Sequence, residues 1–203
     1  MIARPRDVGL KQFRQSGLPS KLSFLLILAF FSINVGCKQS SKEMPSRESS
    51  MSIEVTSTAF QQGMTIPQKY TGDGEDQSPL LRWSEPPSGT KSIALICDDP
   101  DAPGRTWSHW VLFNLPPQTR ELKEGMPRTA TLASGTKQGK NDFGNFGYGG
   151  PAPPKGKPHR YFFKLYALAV DVDLTPGATK AALEKAMQGH ILAEGQLMGT
   201  YKR

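Results

Sequence analysis

The sequence predicts one mainly β domain with a single clear helix, and three observations carry that prediction. Its 17 prolines and 20 glycines fall mostly after residue 60 and cut the chain into short runs. Those runs read as extended segments, and only one stretch repeats its apolar residues at helical spacing. With 37% hydrophobic residues in 203, the chain can bury one core of roughly 150 residues.

Taken in order, the expected strands are Ile53–Phe60, Ser92–Asp98, His109–Leu115 and Arg160–Val170. In the last, Tyr161, Phe163, Leu165 and Ala167 alternate with Phe162, Lys164, Tyr166 and Leu168, so both faces are largely apolar. A strand apolar on both faces belongs in the middle of a sheet covered on both sides. From Ala178 to Met187 the residues Ala182, Leu183, Ala186 and Met187 recur at helical spacing. Pro176 and Thr179 offer a start and Gly189 a stop. Residues 191–201 read as a strand. Residues 140–158, with five glycines and four prolines, form a long loop, and long loops inside compact domains often carry function.

The leader comes first in the chain. A basic stretch ending at Lys21 precedes the apolar run 22–31, which is too short to span a bilayer comfortably and reads as a signal-peptide core. Residues 1–36 are therefore expected to be removed on export. Ile33-Asn34-Val35-Gly36-Cys37 resembles a bacterial lipobox, which makes Cys37 the expected lipidated amino terminus and ties the protein to an envelope membrane. Residues 37–52, rich in Ser with Lys, Glu and Pro, read as a flexible tether, and the folded domain is expected over 53–203.

Charge and cysteine content exclude several classes. The formal net charge is +7, but Arg4, Arg6, Lys11, Arg14 and Lys21 against Asp7 put +4 of it in the leader. The remaining +3 is not clustered, so nucleic acid is not an expected partner. With Cys37 lipidated, Cys97 has no disulfide partner, and its apolar run Ser92–Cys97 marks it as a small buried hydrophobe. Three histidines and one domain cysteine, without paired-Cys or H-E-x-x-H spacing, give no metal site, and no cofactor fingerprint is present.

Three clusters could carry chemistry. Asp98-Asp99-Pro100-Asp101-Ala102-Pro103 ends an apolar strand in a turn that exposes carboxylates. Trp107-Ser108-His109-Trp110 opens the next strand. The Gly/Pro loop then runs into His159-Arg160-Tyr161, whose His159 and Tyr161 share one face of a strand. Glycine backbone lets main-chain N–H groups approach an oxyanion, and imidazole and phenol add donors. Ser108 and His109 point to opposite faces of a strand and cannot form a nucleophile–base pair, and no G-x-S-x-G elbow occurs.

Together these three motifs closely resemble the phosphatidylethanolamine-binding protein family, which includes the Raf kinase inhibitor protein, and in particular its bacterial branch. The resemblance covers roughly residues 53–201. It implies a β-sandwich of two antiparallel sheets with few short helices and a small anion-binding cavity. Carried over by position, the ligand-binding residues are Asp99, His109, His159 and Tyr161, with Gly150 and Pro153 in the loop that walls the pocket. It also implies a phosphate, carboxylate or phospholipid head group as ligand, without catalysis, and a homodimer as in bacterial relatives. Ala152 stands where those relatives often have Cys, and the carboxy-terminal helix that gives eukaryotic members a pocket Tyr has no match around residues 191–200. Two other functions remain open at this point: a regulator of a kinase or protease that docks a phosphorylated partner, and a hydrolase or lyase using His109 and Asp99.

Overall fold

The computed structural model describes residues 51–203, so the leader, the tether and Cys37 lie outside the described residues. The strands are β1 (Met51–Ser52), β2 (Val55–Thr56), β3 (Leu81–Trp83), β4 (Ser92–Asp99), β5 (Trp107–Leu115), β6 (Glu121–Leu122), β7 (Lys137–Gln138), β8 (His159–Leu168) and β9 (Ile191–Tyr201). One helix, α1 (Lys180–Met187), and one 3-10 turn (Gln68–Tyr70) complete the set. The fold is mainly β, built from a six-stranded sheet in the order β1-β9-β8-β4-β5-β7 and a three-stranded sheet β2-β3-β6.

The core follows from alternation along the central strands. Ile93, Leu95 and Cys97 on β4, with Phe163, Leu165 and Ala167 on β8, face the small sheet and meet Val55, Leu81, Trp83 and Leu122. Ala94 and Ile96, with Val111 and Phe113 on β5, face the other way and are covered by Leu183 and Met187 of α1. Strand β4 is therefore buried along its whole length, which is why its residues 93–97 form an unbroken apolar run. The helix begins where expected: the Thr179 hydroxyl accepts from the Ala182 amide at 3.2 Å.

Two expectations change. The run 53–60 is not one strand; the chain crosses between the sheets at Ile53, with β1 against β9 and β2 against β3. Beyond Thr56, the Ser57 hydroxyl accepts from the Ala59 amide and turns the chain out of the ladder. The β1–β9 pairing is also parallel, so the larger sheet is antiparallel except at that edge.

Strand β5 carries two bulges against β4. Leu95 pairs with Leu112 but Ile93 with Leu115, and Cys97 pairs with Trp110 but Asp98 with Ser108. The first bulge contains Asn114, at φ 56°, whose amide closes on the Val172 backbone at 2.9 and 3.0 Å. The second makes His109 the extra residue. It thereby sets His109 on the same side of the sheet as Trp110 instead of the opposite one.

Truncating the helix anchor should destabilise the fold without touching the far face. Leu183→Ala is expected to cost roughly 2–5 kcal/mol by urea denaturation, while any ligand affinity of the inter-sheet end is unchanged.

Candidate functional site

At one end of the inter-sheet face, β4, β5, β8 and two loops enclose a pocket of about 200 Å³. Its polar lining is Asp99, Trp107, His109, His159 and Tyr161, and its apolar wall includes Phe143, Pro153 and Pro154. Five of the six residues expected from sequence thus meet at one place, although Asp99 and Tyr161 are 62 positions apart.

Asp99 organises one side. The residue is 3% exposed, and Oδ1 accepts from the Asp101 amide at 2.8 Å while Oδ2 accepts from His159 Nδ1 at 2.7 Å. The turn that follows is locked from outside, because Asp101 accepts from the Arg160 amide at 3.0 Å and from its guanidinium at 2.7 and 2.8 Å. That hydrogen-bonded guanidinium holds the Asp101 carboxyl down at about 2.

His109 sits opposite, 2% exposed, with its ring edge-on to Tyr161 at 5.1 Å and to Phe143 at 5.4 Å. Its Nδ1 lies 2.6 Å from the Gly149 carbonyl, and a carbonyl only accepts, so Nδ1 carries the proton. Burial pushes its pKa down, against the opposing pull of that carbonyl and the Asp99 charge. The free pocket therefore holds a neutral imidazole at neutral pH. The Tyr161 phenol is pushed well above its ordinary range by burial and by Asp99, and remains a donor.

Two pocket residues carry buried donors with no acceptor among the described residues: the Tyr161 hydroxyl and the Trp107 indole N–H. A buried donor without a partner costs about 1–3 kcal/mol, so such groups are kept where something else satisfies them. Trp107 is positioned by Arg105, whose guanidinium lies 4.9 Å from its ring, and by Phe143 at 5.5 Å. Asp142 joins these parts, accepting from Arg105 at 2.9 Å and from the Ser108 amide at 2.6 Å.

Gly150 is not at this pocket. It lines a neighbouring cavity of about 160 Å³ with Asp76 and Arg128, and its N–H donates to Asp76 Oδ1 at 2.6 Å. A Cβ there would stand 2.6 Å from the Tyr70 carbonyl, so the residue is glycine for close backbone packing. The Gly149 N–H is likewise engaged, by the His109 carbonyl at 2.9 Å. The N–H groups of Gly149 and Gly150 are thus spent inside the protein. Trp107 lay in a candidate cluster but was not chosen as a binding residue, and neither was Phe143. The signal for Trp107 was its place two residues before His109 on the same strand.

A larger open groove of about 900 Å³ runs along β1, β2 and β9, but none of the described side chains lining it carries an orphaned buried donor. Among the described residues no three His, Cys, Asp or Glu side chains are grouped to hold a metal ion.

The profile of the family described as phosphatidylethanolamine-binding protein matches residues 56–202. The chain belongs to that family. It is 52% identical over 145 residues to a UPF0098 protein of Methanothermobacter thermautotrophicus, covering 71% of this chain and 95% of that protein. It is 42% identical over 132 residues to the UPF0098 protein YbhB of Escherichia coli, covering 64% of this chain and 84% of that one. Among solved structures it resembles CT736 of Chlamydia trachomatis, described as a putative homologue of the family, with TM-score 0.68 and 41% identity over 75% of this chain and 98% of that chain. Escherichia coli YbcL, described as a new member of the mammalian family, aligns with TM-score 0.70 and 35% identity over 74% and 98%. Family membership accounts for the two-sheet fold and for a binding protein of this type.

The Asp101–Arg160 lock predicts an acid limb in stability. A carboxyl held low in the folded protein stabilises it above the ordinary carboxylate range, and this contribution disappears as pH falls from about 4 to about 2. Trp fluorescence in an acid titration should show that limb in the wild type, and Asp101→Asn should flatten it.

Proposed function

We propose that this chain binds a small anionic group, such as a phosphate monoester, phospholipid head group or carboxylate, in the Asp99–His109–Tyr161 pocket, without chemical turnover. The observation that carries this reading is the pair of unsatisfied buried donors, Tyr161 Oη and Trp107 Nε1, in a cavity the size of a phosphate or small ester. An oxyanion supplies the acceptors both lack. Two imidazoles fixed by their Nδ1 partners add recognition groups, and Asp99 is spent on holding His159 and the 99–103 turn rather than on a nucleophile. Ser108, the nearest hydroxyl in sequence, extends from the opposite side of β5 to His109. Binding is therefore favoured over acid–base hydrolysis.

Calorimetry with inorganic phosphate, phosphoethanolamine and acetate tests the reading. A hydrogen bond to a charged group contributes about 1.5–3 kcal/mol, so Tyr161→Phe should weaken phosphate binding roughly 10- to 150-fold. No heat from any of the three with the wild type, or equal affinities in the variant, would defeat it.

Export to the cell envelope with a lipid on Cys37 belongs to the same proposal, and rests on the leader pattern. Mass spectrometry of the protein from bacterial membranes should find a mature amino terminus at Cys37 carrying acyl groups; an unmodified terminus elsewhere refutes the anchor.

A further inference from the structure

The polar groups of the pocket lie behind walls. Asp99, His109 and Tyr161 are 3%, 2% and 1% exposed, and the free donors Tyr161 Oη and Trp107 Nε1 are both buried. A ligand reaches them only when a wall moves, so the way each wall is tied decides where it enters.

Three segments close the pocket, and two are tied firmly. The turn 99–103 is held by the Asp101 amide on Asp99 and by three bonds from Arg160 to Asp101. The loop carrying Phe143 is closed by three bonds of the Asn141 side chain. The third segment, the strap 152–158, bears Ala152, Pro153 and Pro154 of the lining. Among the described residues its only hydrogen bonds are those that the Ala152 and Pro153 carbonyls accept from Arg203 Nη1, both at 3.3 Å, the long end of the range. Pro153, Pro154 and Pro158 have no N–H to add, residues 154–158 are all exposed, and Gly156 sits at φ 151° with open space around it.

Arg203 thus stands between the strap and the body of the domain. Its Nε and Nη2 donate to Asp73 Oδ1 at 2.9 and 2.6 Å, which aims Nη1 at the strap, and the Tyr201 hydroxyl donates to the same carboxylate at 2.9 Å. A planar guanidinium offers this fork in fixed geometry; a lysine ammonium carries the charge without the fork.

We propose that Arg203 is a positioning residue that latches the strap 152–158 over the pocket, and that the ligand enters and leaves when this latch opens. The ligand in this statement rests on the anion-binding reading above; the opening of the strap does not. Lys155 and Lys157, both exposed on the strap, place positive charge at the entrance, which raises the encounter rate of an anion. Because the closed wall is the same before and after the ligand passes, loosening it speeds entry and exit together and leaves affinity nearly unchanged.

Hydrogen exchange of the tryptophan indoles, followed by NMR on the full chain, tests the opening without a ligand. The Trp107 N–H has no acceptor among the described residues and exchanges when water reaches the pocket, whereas Trp83 donates to the Thr119 carbonyl at 2.9 Å and Trp110 to Gln138 Oε1 at 2.7 Å. Arg203→Gln should speed Trp107 exchange roughly 5- to 10-fold, as for the loss of a forked ion pair at a part-exposed site, with Trp83 and Trp110 unchanged. Arg203→Lys should fall between, and Asp73→Asn should match Arg203→Gln with no further gain in the double variant. Unchanged Trp107 exchange, or a rise at all three indoles, overturns the latch. Stopped-flow tryptophan fluorescence with phosphoethanolamine tests the traffic: in Arg203→Gln both rates should rise by the same factor, with Kd held within about twofold. A Kd weakened through dissociation alone makes Arg203 part of the binding wall and overturns the proposal. No binding by the wild type overturns the anion reading, and the indole exchange still decides the latch.

Discussion

A carboxylate buried at the end of a strand has to be satisfied, and Asp99 is satisfied by two groups that make the site. One is the Asp101 amide, which bends the chain into the turn bearing Pro103; the other is His159 Nδ1, 60 residues away, which ties β4 to the start of β8. Leaving that buried charge unpaired would cost several kcal/mol, so the turn and the His159 ring are held together by the same requirement. The preceding residue shows the alternative. Asp98, also buried, points to the other side of the sheet and receives Lys164 at 3.0 Å and Lys180 at 2.6 Å, the latter from the first turn of α1. Two adjacent carboxylates thus serve opposite faces, one anchoring the helix and one the pocket.

Much of this was legible in the sequence because it obeys short-range rules. The run 92–97 was read as a strand with Cys97 buried in it, the alternation through 161–168 was read as mid-sheet, and Thr179 and Gly189 bracketed the helix. His159 and Tyr161 were expected on one face and do share the pocket. What was not legible depends on register and on distant partners. The bulge that delivers His109 is a mismatch between β4 and β5, invisible in either strand alone. Strands of two or three residues, such as β6 and β7, give no periodicity to detect. Glycine content marked the 140–158 loop as one whose N–H groups approach an oxyanion, whereas Gly150 approaches the Tyr70–Asp76 segment.

The loop owes its shape to Asn141. Its Oδ1 accepts from the Phe143 and Asn145 amides at 3.1 and 3.0 Å, and its Nδ2 donates to the Gly147 carbonyl at 3.0 Å. One side chain so closes a turn that carries Phe143, an aromatic ring 45% exposed yet seated edge-on against both Trp107 and His109. Phe143 lines both the Asp99–His109–Tyr161 pocket and the neighbouring cavity, so the ring is the partition between them. A partition held by its own loop keeps the pocket small without any contribution from a ligand.

The opposite wall is fixed by the residues at and beyond the end of β9, the last strand of the chain. As expected from the sequence, the chain continues as β9 to Tyr201, and Arg203 lies beyond it. Arg203 grips Asp73 at 2.6 and 2.9 Å and reaches the carbonyls of Ala152 and Pro153 at 3.3 Å, while Tyr201 donates to the same carboxylate at 2.9 Å. The Gly72 amide donates to the Pro151 carbonyl at 2.9 Å, so the 151–153 wall is held from two sides. Prolines set the backbone of that wall and Arg203 ties it down, which removes most of the ordering that a ligand would otherwise have to impose. The pocket is thus held in shape by bonds made outside it, which leaves the unsatisfied Trp107 and Tyr161 donors fixed in place within it.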